Sequence, residues 1–389
     1  MGAIELALHI ADYPPEQVSH QRLFVEPDSI LGWRNIPGAT GRIKSDEYSN
    51  ELEYNSHSMR GPEIPYDKPA GVRRVVLVGD SFVDGYTQPL GERVGDILEQ
   101  LLNAADPGRR TEVISLGAGG YSTDQQLLWL RSEGLRYHPD LVVLLFYAND
   151  IWYNRLDRYW RGGKPLFALR GDSLVLTNIP IAAPVSSPAG QQPGLNGWIR
   201  AHSKIYWLLA RAIQNNPRLF GLAVRLGLTE PSPELVFDQG QGIVIPGEFS
   251  VFRTPMPSQA EEAWTLTDAL VERMRSEAEA AGAEFLAMLV PIRSRIYTET
   301  DDIRGNAGGG TGIDVDAVTR RFLELCRSAA LACIDPTASF VAVADSLRGS
   351  GERLYYRYDW HWNARGHALA AHILAERLAG SEAPDTTRR

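Results

Sequence analysis

Val75-Val76-Leu77-Val78-Gly79-Asp80-Ser81-Phe82 carries the fold of this chain. Four aliphatic residues with no polar alternation fit a strand covered on both faces, as in a buried parallel sheet. Gly79 permits a backbone conformation that a side chain would resist, so Ser81 is expected at the carboxyl end of a central strand. In open α/β sheets that edge is where ligands bind. Ser81 is then either a reactive hydroxyl surrounded by backbone N–H groups or an ordinary helix N-cap.

On the amino-terminal side, residues 1–70 are rich in Pro, Gly, Asn and Ser and read as an irregular or β-rich appendage with no evident chemistry. His57, between Ser56 and Ser58, reads as a surface loop residue. On the other side, strand and helix alternate. A helical pattern over Val94 to Leu102 ends at Asp106-Pro107-Gly108. The strand Glu112 to Leu116 runs into Gly117-Ala118-Gly119-Gly120-Tyr121-Ser122-Thr123-Asp124. That turn lacks the Gly-Lys-Ser/Thr ending of a nucleotide loop, so a tight turn exposing N–H groups is expected, with a helix from Thr123 to Gly134. The apolar strand Leu141 to Phe146 ends in Tyr147-Ala148-Asn149-Asp150. Three such strands imply a doubly wound parallel sheet.

Residues 151–257 break the rhythm, first aromatic and basic, then Pro-rich, then helical around Ile205 to Ile213. An insertion of that length is expected to cover the carboxyl edge of the sheet as a lid or substrate wall. Alternation resumes with the helix Gln259 to Ala281, the strand Phe285 to Val290, the polar loop Asp301 to Gly312, the helix Val315 to Ala330 and the short strand Leu331 to Ile334. Leu354 to Leu378 forms the last ordered unit, and 381–389 a loose tail.

The net charge of −9 over 389 residues, with no basic block, argues against nucleic-acid or anionic-membrane partners. The two cysteines, Cys326 and Cys333, read as buried small hydrophobes rather than a disulfide or a metal pair. Met1 to Tyr13 lacks the pattern of a secretory signal, and no stretch is apolar enough for a membrane span. The chain as given therefore reads as cytoplasmic, with export or membrane anchoring as the alternative.

A serine nucleophile needs a base, and the base needs a partner that holds its tautomer. Arg357-Tyr358-Asp359-Trp360-His361 supplies both: His361 as the base and Asp359, two residues earlier, as its orienter. The alternative is that one of them merely caps the helix that starts near Ala364. Donors for a developing oxyanion are expected from the backbone N–H of Ser81, the backbone N–H of Gly120 and the amide of Asn149, each at the end of a different strand. His367 reads as structural, and its spacing from His361 does not fit a helical zinc motif, so no metal is expected.

Taken in order, Gly79-Asp80-Ser81-Phe82, Gly117-Ala118-Gly119-Gly120, Ala148-Asn149-Asp150 and Asp359-Trp360-His361 resemble the four blocks of the SGNH (GDSL-type) hydrolase superfamily. The resemblance covers about residues 71–380 and implies a flavodoxin-like three-layer α/β/α sandwich with a mostly parallel five-stranded sheet. It also implies ester hydrolysis through an acyl-serine, no cofactor, and the Ser, Gly, Asn and His roles given above. Many members place the acid three residues before the histidine, where this chain has Tyr358; the spacing of two is similar to that of members modifying polysaccharides, several of them acetyltransferases. The appendage and insertion resemble a bacterial subgroup that often carries a membrane anchor. Three functions follow: an esterase removing a short acyl group from a carbohydrate or small metabolite, an O-acyltransferase using the same triad, or a catalytically silent binding protein. Asp335 is the alternative acid. Oligomeric state is not legible.

Overall fold

The computed structural model describes residues 24–381 apart from 160, 161, 172, most of 182–234, 239–242, 300–302 and 304–311. Two hairpins come first, β1 (Val25–Asp28) with β2 (Gly32–Asn35) and β3 (Thr40–Lys44) with β4 (Ser49–Glu53). β5 (Arg73–Gly79), β6 (Thr111–Gly117) and β7 (Leu141–Phe146) follow. The 151–257 segment contributes three small antiparallel pairs: β8 (Arg158–Tyr159) with β9 (Gly162–Gly163), β10 (Phe167–Arg170) with β11 (Ser173–Leu176), and β12 (Leu235–Asp238) with β13 (Ile243–Pro246). β14 (Glu284–Leu289) and β15 (Ala332–Ile334) complete the main sheet, whose order is β15-β14-β7-β5-β6.

All neighbours in this sheet are parallel. The parallel sheet expected from the apolar runs is thus present, with the five strands and the flavodoxin-like order that the family resemblance implies. Alternate residues of one strand serve two cores, as the period of two demands. Val76 and Val78 face helices α3 (Thr123–Ser132), α6 (Ser258–Ala280) and α8 (Ala317–Ser328). Val75 and Leu77 face α2 (Val94–Ala105), α9 (Thr337–Ser346) and α10 (Ala364–Ser381). The strands end in register, Gly79 beside Gly117 and Phe146 beside Leu289. Every loop that leaves them therefore starts from one rim.

The amino-terminal hairpins pack onto that rim. Trp33 is buried and its indole N–H donates to the Gly119 carbonyl at 3.2 Å, while the Asn35 amide reaches the Gly117 carbonyl at 3.3 Å. The Gly117–Gly120 turn is thus braced by side chains from outside the sheet.

Two sequence expectations change. Cys326, at the end of α8, and Cys333, in β15, are joined by a disulfide across a Cα separation of 6.1 Å. The helix ends in a tight return to the strand, which brings together two cysteines seven apart that periodicity had assigned to separate apolar faces. Second, α9 was not expected; it stands between β15 and the His361 loop, so that loop reaches the rim after a helix rather than directly from a strand. His57 stands in a turn and is partly exposed, as expected, with Tyr66 Oη 2.8 Å from its Nδ1 and Glu133 3.3 Å away. Most of the helical piece at 205–213, the Gly308–Gly310 loop and the 382–389 tail fall outside the described residues.

Candidate active site

Ser81 opens α1 (Ser81–Asp84), but it is not the cap. Asp80 caps the helix, its Oδ1 accepting from Phe82 N at 2.9 Å, which leaves the Ser81 hydroxyl uncommitted to the helix. Gly79 is required by space and not by a left-handed backbone: a Cβ there would lie 2.6 Å from Val83 Cγ2 and 3.2 Å from the Leu145 carbonyl oxygen. A Cβ on Gly117 would run into the backbone of Val83 and Asp84. Two glycines thus let α1 lie close against the strand ends.

His361 sits in a tight loop closed by the Tyr355–Trp362 bridge, with Tyr356 N donating to the His361 carbonyl at 3.1 Å. Its Nε2 lies 2.7 Å from Ser81 Oγ. Its Nδ1 lies 2.5 Å from Asp359 Oδ1, which also accepts from the His361 backbone N–H at 3.0 Å. Neither residue caps α10; that is done by Asn363, whose Oδ1 accepts from Arg365 N at 3.0 Å and Gly366 N at 3.2 Å. Asp335, the alternative acid, instead accepts from Thr337 N at 3.0 Å and Thr337 Oγ1 at 2.5 Å where α9 begins.

Electrostatics follow from this geometry. Burial alone would raise the Asp359 carboxyl, but its hydrogen bonds and the charge of His361 prevail and bring it from 3.8 down to about 2. Burial would lower His361, yet the bond to Asp359 and the charges of Asp359, Asp80 and Asp84 outweigh it and hold the imidazole above its ordinary 6.5. Burial pushes Asp80 up to about 6, against the Phe82 N–H and His361. Asp150 is held well above the usual carboxylate range by burial and by Asp80, while Thr123 and Gln126 donate to it. His367 is buried, accepts from Val94 N at 3.2 Å and is pushed down to about 3 by burial, in keeping with a structural role.

Ser81, His361, Gly120 and Asn149 all line one cavity of about 310 Å³. Gly120 adopts a left-handed φ of +77°, as a turn presenting its backbone requires. Asn149 begins α4 (Asn149–Tyr153); its Nδ2 reaches Asp80 Oδ2 at 3.5 Å, and its buried Oδ1 has no hydrogen-bond partner among the described residues. Phe249 from α5 (Gly247–Ser250), together with Ile292 and Trp360, forms an apolar wall. All five residues expected at the site from sequence therefore converge on one rim, with His361 able to take the hydroxyl proton and Asp359 able to face the resulting imidazolium.

Sequence reasoning missed four residues here. Tyr48 Oη donates to Asp359 Oδ2 at 3.0 Å. Glu47 accepts from the backbone N–H of Asp359 at 2.8 Å. Tyr86 Oη lies 3.4 Å from His361 Nδ1, and Arg293, which opens α7 (Arg293–Ile296), donates to the Asp359 carbonyl at 2.9 Å. Glu47 and Tyr48 bring the appendage, in which the sequence shows no chemistry, into contact with the Asp359 loop. No local spacing announces them, because their partners lie more than 300 residues away.

A parallel α/β sandwich with serine, histidine and aspartate in hydrogen-bonded sequence at its carboxyl rim is a serine-hydrolase architecture. The chain belongs to the GDSL-like lipase/acylhydrolase family, whose sequence model matches residues 77–310. Residues 252–389 also match the SGNH hydrolase-like domain described as acetyltransferase AlgX. None of the curated proteins compared matches the chain in sequence. Similar solved structures include the acetyl xylan esterase AlAXEase, at 12% identity and a TM-score of 0.41 over 79% of this chain and 99% of that one. Another is Axe2, an acetylxylan esterase from Geobacillus stearothermophilus, at 12% identity and a TM-score of 0.41 over 79% and 94%. A third is a lipase/acylhydrolase from Enterococcus faecalis, at 13% identity and a TM-score of 0.38 over 79% and 96%.

Proposed function

We propose that the chain is a serine esterase that removes a short acyl group, acetyl among them, from a carbohydrate or small-metabolite ester. The observation that carries this reading is the unbroken relay Ser81 Oγ, His361 Nε2, His361 Nδ1, Asp359 Oδ1, with separations of 2.7 and 2.5 Å, at the mouth of the cavity. Ser81 attacks the acyl carbon while His361 takes its proton. The tetrahedral oxyanion is met by the backbone N–H of Ser81 and Gly120 and by the Asn149 amide. Collapse expels the alcohol, which receives the proton from His361, and leaves an acyl-serine. Water then attacks, His361 accepts its proton, and the acid departs as Ser81 is restored. A cavity of about 310 Å³ between Phe249, Ile292 and Trp360 favours a small acyl group over a long chain.

A second reading keeps every step to the acyl-serine and replaces water with an acceptor hydroxyl. The match of residues 252–389 to an acetyltransferase domain favours it, as does the Asp-x-His spacing. The 151–257 segment, as a lid or substrate wall, would serve that reading by excluding water. The partner in either case is a small or carbohydrate ester. The Cys326–Cys333 disulfide suits an oxidising compartment and supports export or anchoring over a cytoplasmic location. Among the described residues no helix is long and apolar enough to cross a membrane.

The test is hydrolysis of p-nitrophenyl acetate by the parent and by Ser81→Ala. The variant is expected to lose turnover by at least ~10³-fold, and an unchanged rate refutes the assignment. Added glycosides, with acylated product sought by mass spectrometry, separate transfer from hydrolysis.

A further inference from the structure

We propose that the turn joining β3 to β4 belongs to the catalytic apparatus, with Glu47 and Tyr48 as positioning residues that hold Asp359 for His361. The inference rests on the triad reading above but concerns a segment outside both family matches, which start at residues 77 and 252.

The Glu47 carboxylate accepts hydrogen bonds from three successive backbone N–H groups: Arg357 at 2.6 Å, Tyr358 at 3.0 Å and Asp359 at 2.8 Å. Consecutive N–H groups turned to one side form a concavity for an anion, and bonds to an ionised acceptor are about twice as strong as neutral ones. The carbonyls of the same loop turn the other way. Those of Tyr356, Arg357 and Asp359 accept from Arg293 Nη1 at 3.4, 3.1 and 2.9 Å. The Asp359 loop is therefore clamped between an anion on its N–H side and a cation on its carbonyl side. Such a clamp is needed because the loop is otherwise open, with Tyr358 73% exposed.

Tyr48 acts on the carboxylate itself. Asp359 Oδ1 is taken by His361, and Oδ2 accepts from Tyr48 Oη at 3.0 Å, so the second oxygen is anchored and the first is left aimed at the imidazole. Burial and the Asp359 charge raise the Tyr48 phenol above its ordinary range, so it stays a donor at every working pH. The turn is itself fixed: Ser45 Oγ accepts from Glu47 N and Tyr48 N, both at 3.1 Å, and the Tyr48 ring lies 5.1 Å from that of Tyr356. An anchored turn, two side chains and four hydrogen bonds thus converge on one loop.

The test uses the full chain with Glu47→Ala, Glu47→Gln and Tyr48→Phe, and Glu51→Gln on the same hairpin as control. Displacing a reacting group by about 1 Å costs on the order of 10²-fold. In Glu47→Ala kcat for p-nitrophenyl acetate is expected to fall about 10- to 100-fold with KM changed by less than about twofold. Glu47→Gln, which keeps one acceptor oxygen, should recover part of the loss, and Tyr48→Phe should lose about tenfold. The low-field proton resonance of His361 Nδ1–H should shift or broaden in Glu47→Ala and Tyr48→Phe and stay in place in Glu51→Gln. Should Glu47→Ala fail to fold, Tyr48→Phe, which removes a single oxygen, decides. A kcat within about twofold of the parent in the folded variants overturns the inference, as does a fall in kcat that leaves the resonance unmoved. The triad reading fails by a different result, undiminished turnover in Ser81→Ala.

Discussion

Replacing Asp359 with asparagine removes a charge and keeps the shape, which makes Asp359→Asn the sharpest probe of the relay. The carboxyl is lowered from 3.8 to about 2, a preference for the ionised form worth roughly 2 kcal/mol at neutral pH. Against burial, the hydrogen bond to His361 and its charge are the foremost causes that lower it, and losing them slows proton abstraction up to ~30-fold. A second loss comes from the tautomer. An asparagine can turn its NH2 toward Nδ1, which places the imidazole proton on Nε2, where it cannot accept from Ser81. Together these predict a fall in kcat of about 10²–10⁴ with KM near that of the parent. The pH profile supplies an independent sign. His361 must be neutral to accept a proton, and Asp359 is what holds it above 6.5 against burial. The acidic limb of kcat/KM in the parent therefore lies above the ordinary imidazole range, and in Asp359→Asn it moves to lower pH. Stability gives a third sign: a carboxyl with a depressed folded value contributes above its unfolded value of 3.8 and loses that contribution as pH falls through about 2. The thermal penalty of the variant should shrink over that window. A variant with kcat within tenfold of the parent and an unmoved acidic limb would refute the assignment of Asp359.

Two further outcomes concern the frame. Lys164 and Asp124 form a fully buried ion pair that ties the 151–257 segment to α3, with Lys164 Nζ also donating to the Tyr153 carbonyl at 2.9 Å. Lys164→Met leaves the buried Asp124 without its counter-charge and should cost ~3–5 kcal/mol by denaturant unfolding, whereas Lys164→Met with Asp124→Leu should recover part of it; a single-variant cost below ~1 kcal/mol would count against the pair. Cys326→Ala should lower stability by about 2–3 kcal/mol because the bridge closes a short loop. Thiol titration of the native, unreduced chain should find no free thiol, and finding two would remove the bridge.

What the sequence disclosed and what it hid divide along a physical line. β5, β7 and β14 were legible because each is an apolar run long enough to be buried on both faces, bounded by glycine, proline or asparagine. Ser81 and Asn149 were legible for the same reason, since they sit just past the ends of β5 and β7, whereas Asp359 and His361 were legible from their own spacing before α10. α9 escaped because Phe340 to Ala344 form one unbroken apolar run, which by itself does not tell strand from helix, although Phe340, Val343, Ala344 and Leu347 share one face. The disulfide escaped because a helix end and a strand start had to fold back on each other first. Glu47 escaped most completely. A side chain that binds backbone N–H groups leaves no trace in its partners' identities, and Arg357 and Tyr358 could be other residues without changing the bond.

The acids around the site show why residue type alone could not assign them. Asp80, Asp150 and Asp359 are the same side chain in three loops at one rim, yet their environments drive them apart. Asp359 is partly exposed and accepts from His361 and Tyr48, so it is ionised throughout the working range. Asp150 is wholly buried beside Asp80 and holds its proton far above the usual range. Asp80 lies between, raised to about 6 by burial while the Phe82 N–H and His361 pull it back. Pairs of titratable groups pushed apart in this way are how one site keeps a charge in one place and withholds it in another. Here the firm charge stands at Nδ1 of His361, on the far side from Ser81. Of the two carboxyls near the nucleophile, Asp150 keeps its proton and adds no charge, while Asp80, raised to about 6, is largely ionised where His361 is neutral and helps to hold the imidazolium. The arrangement favours an oxyanion over the strand ends and an imidazolium beside Asp359, the two charges that acyl transfer to and from a serine must create together.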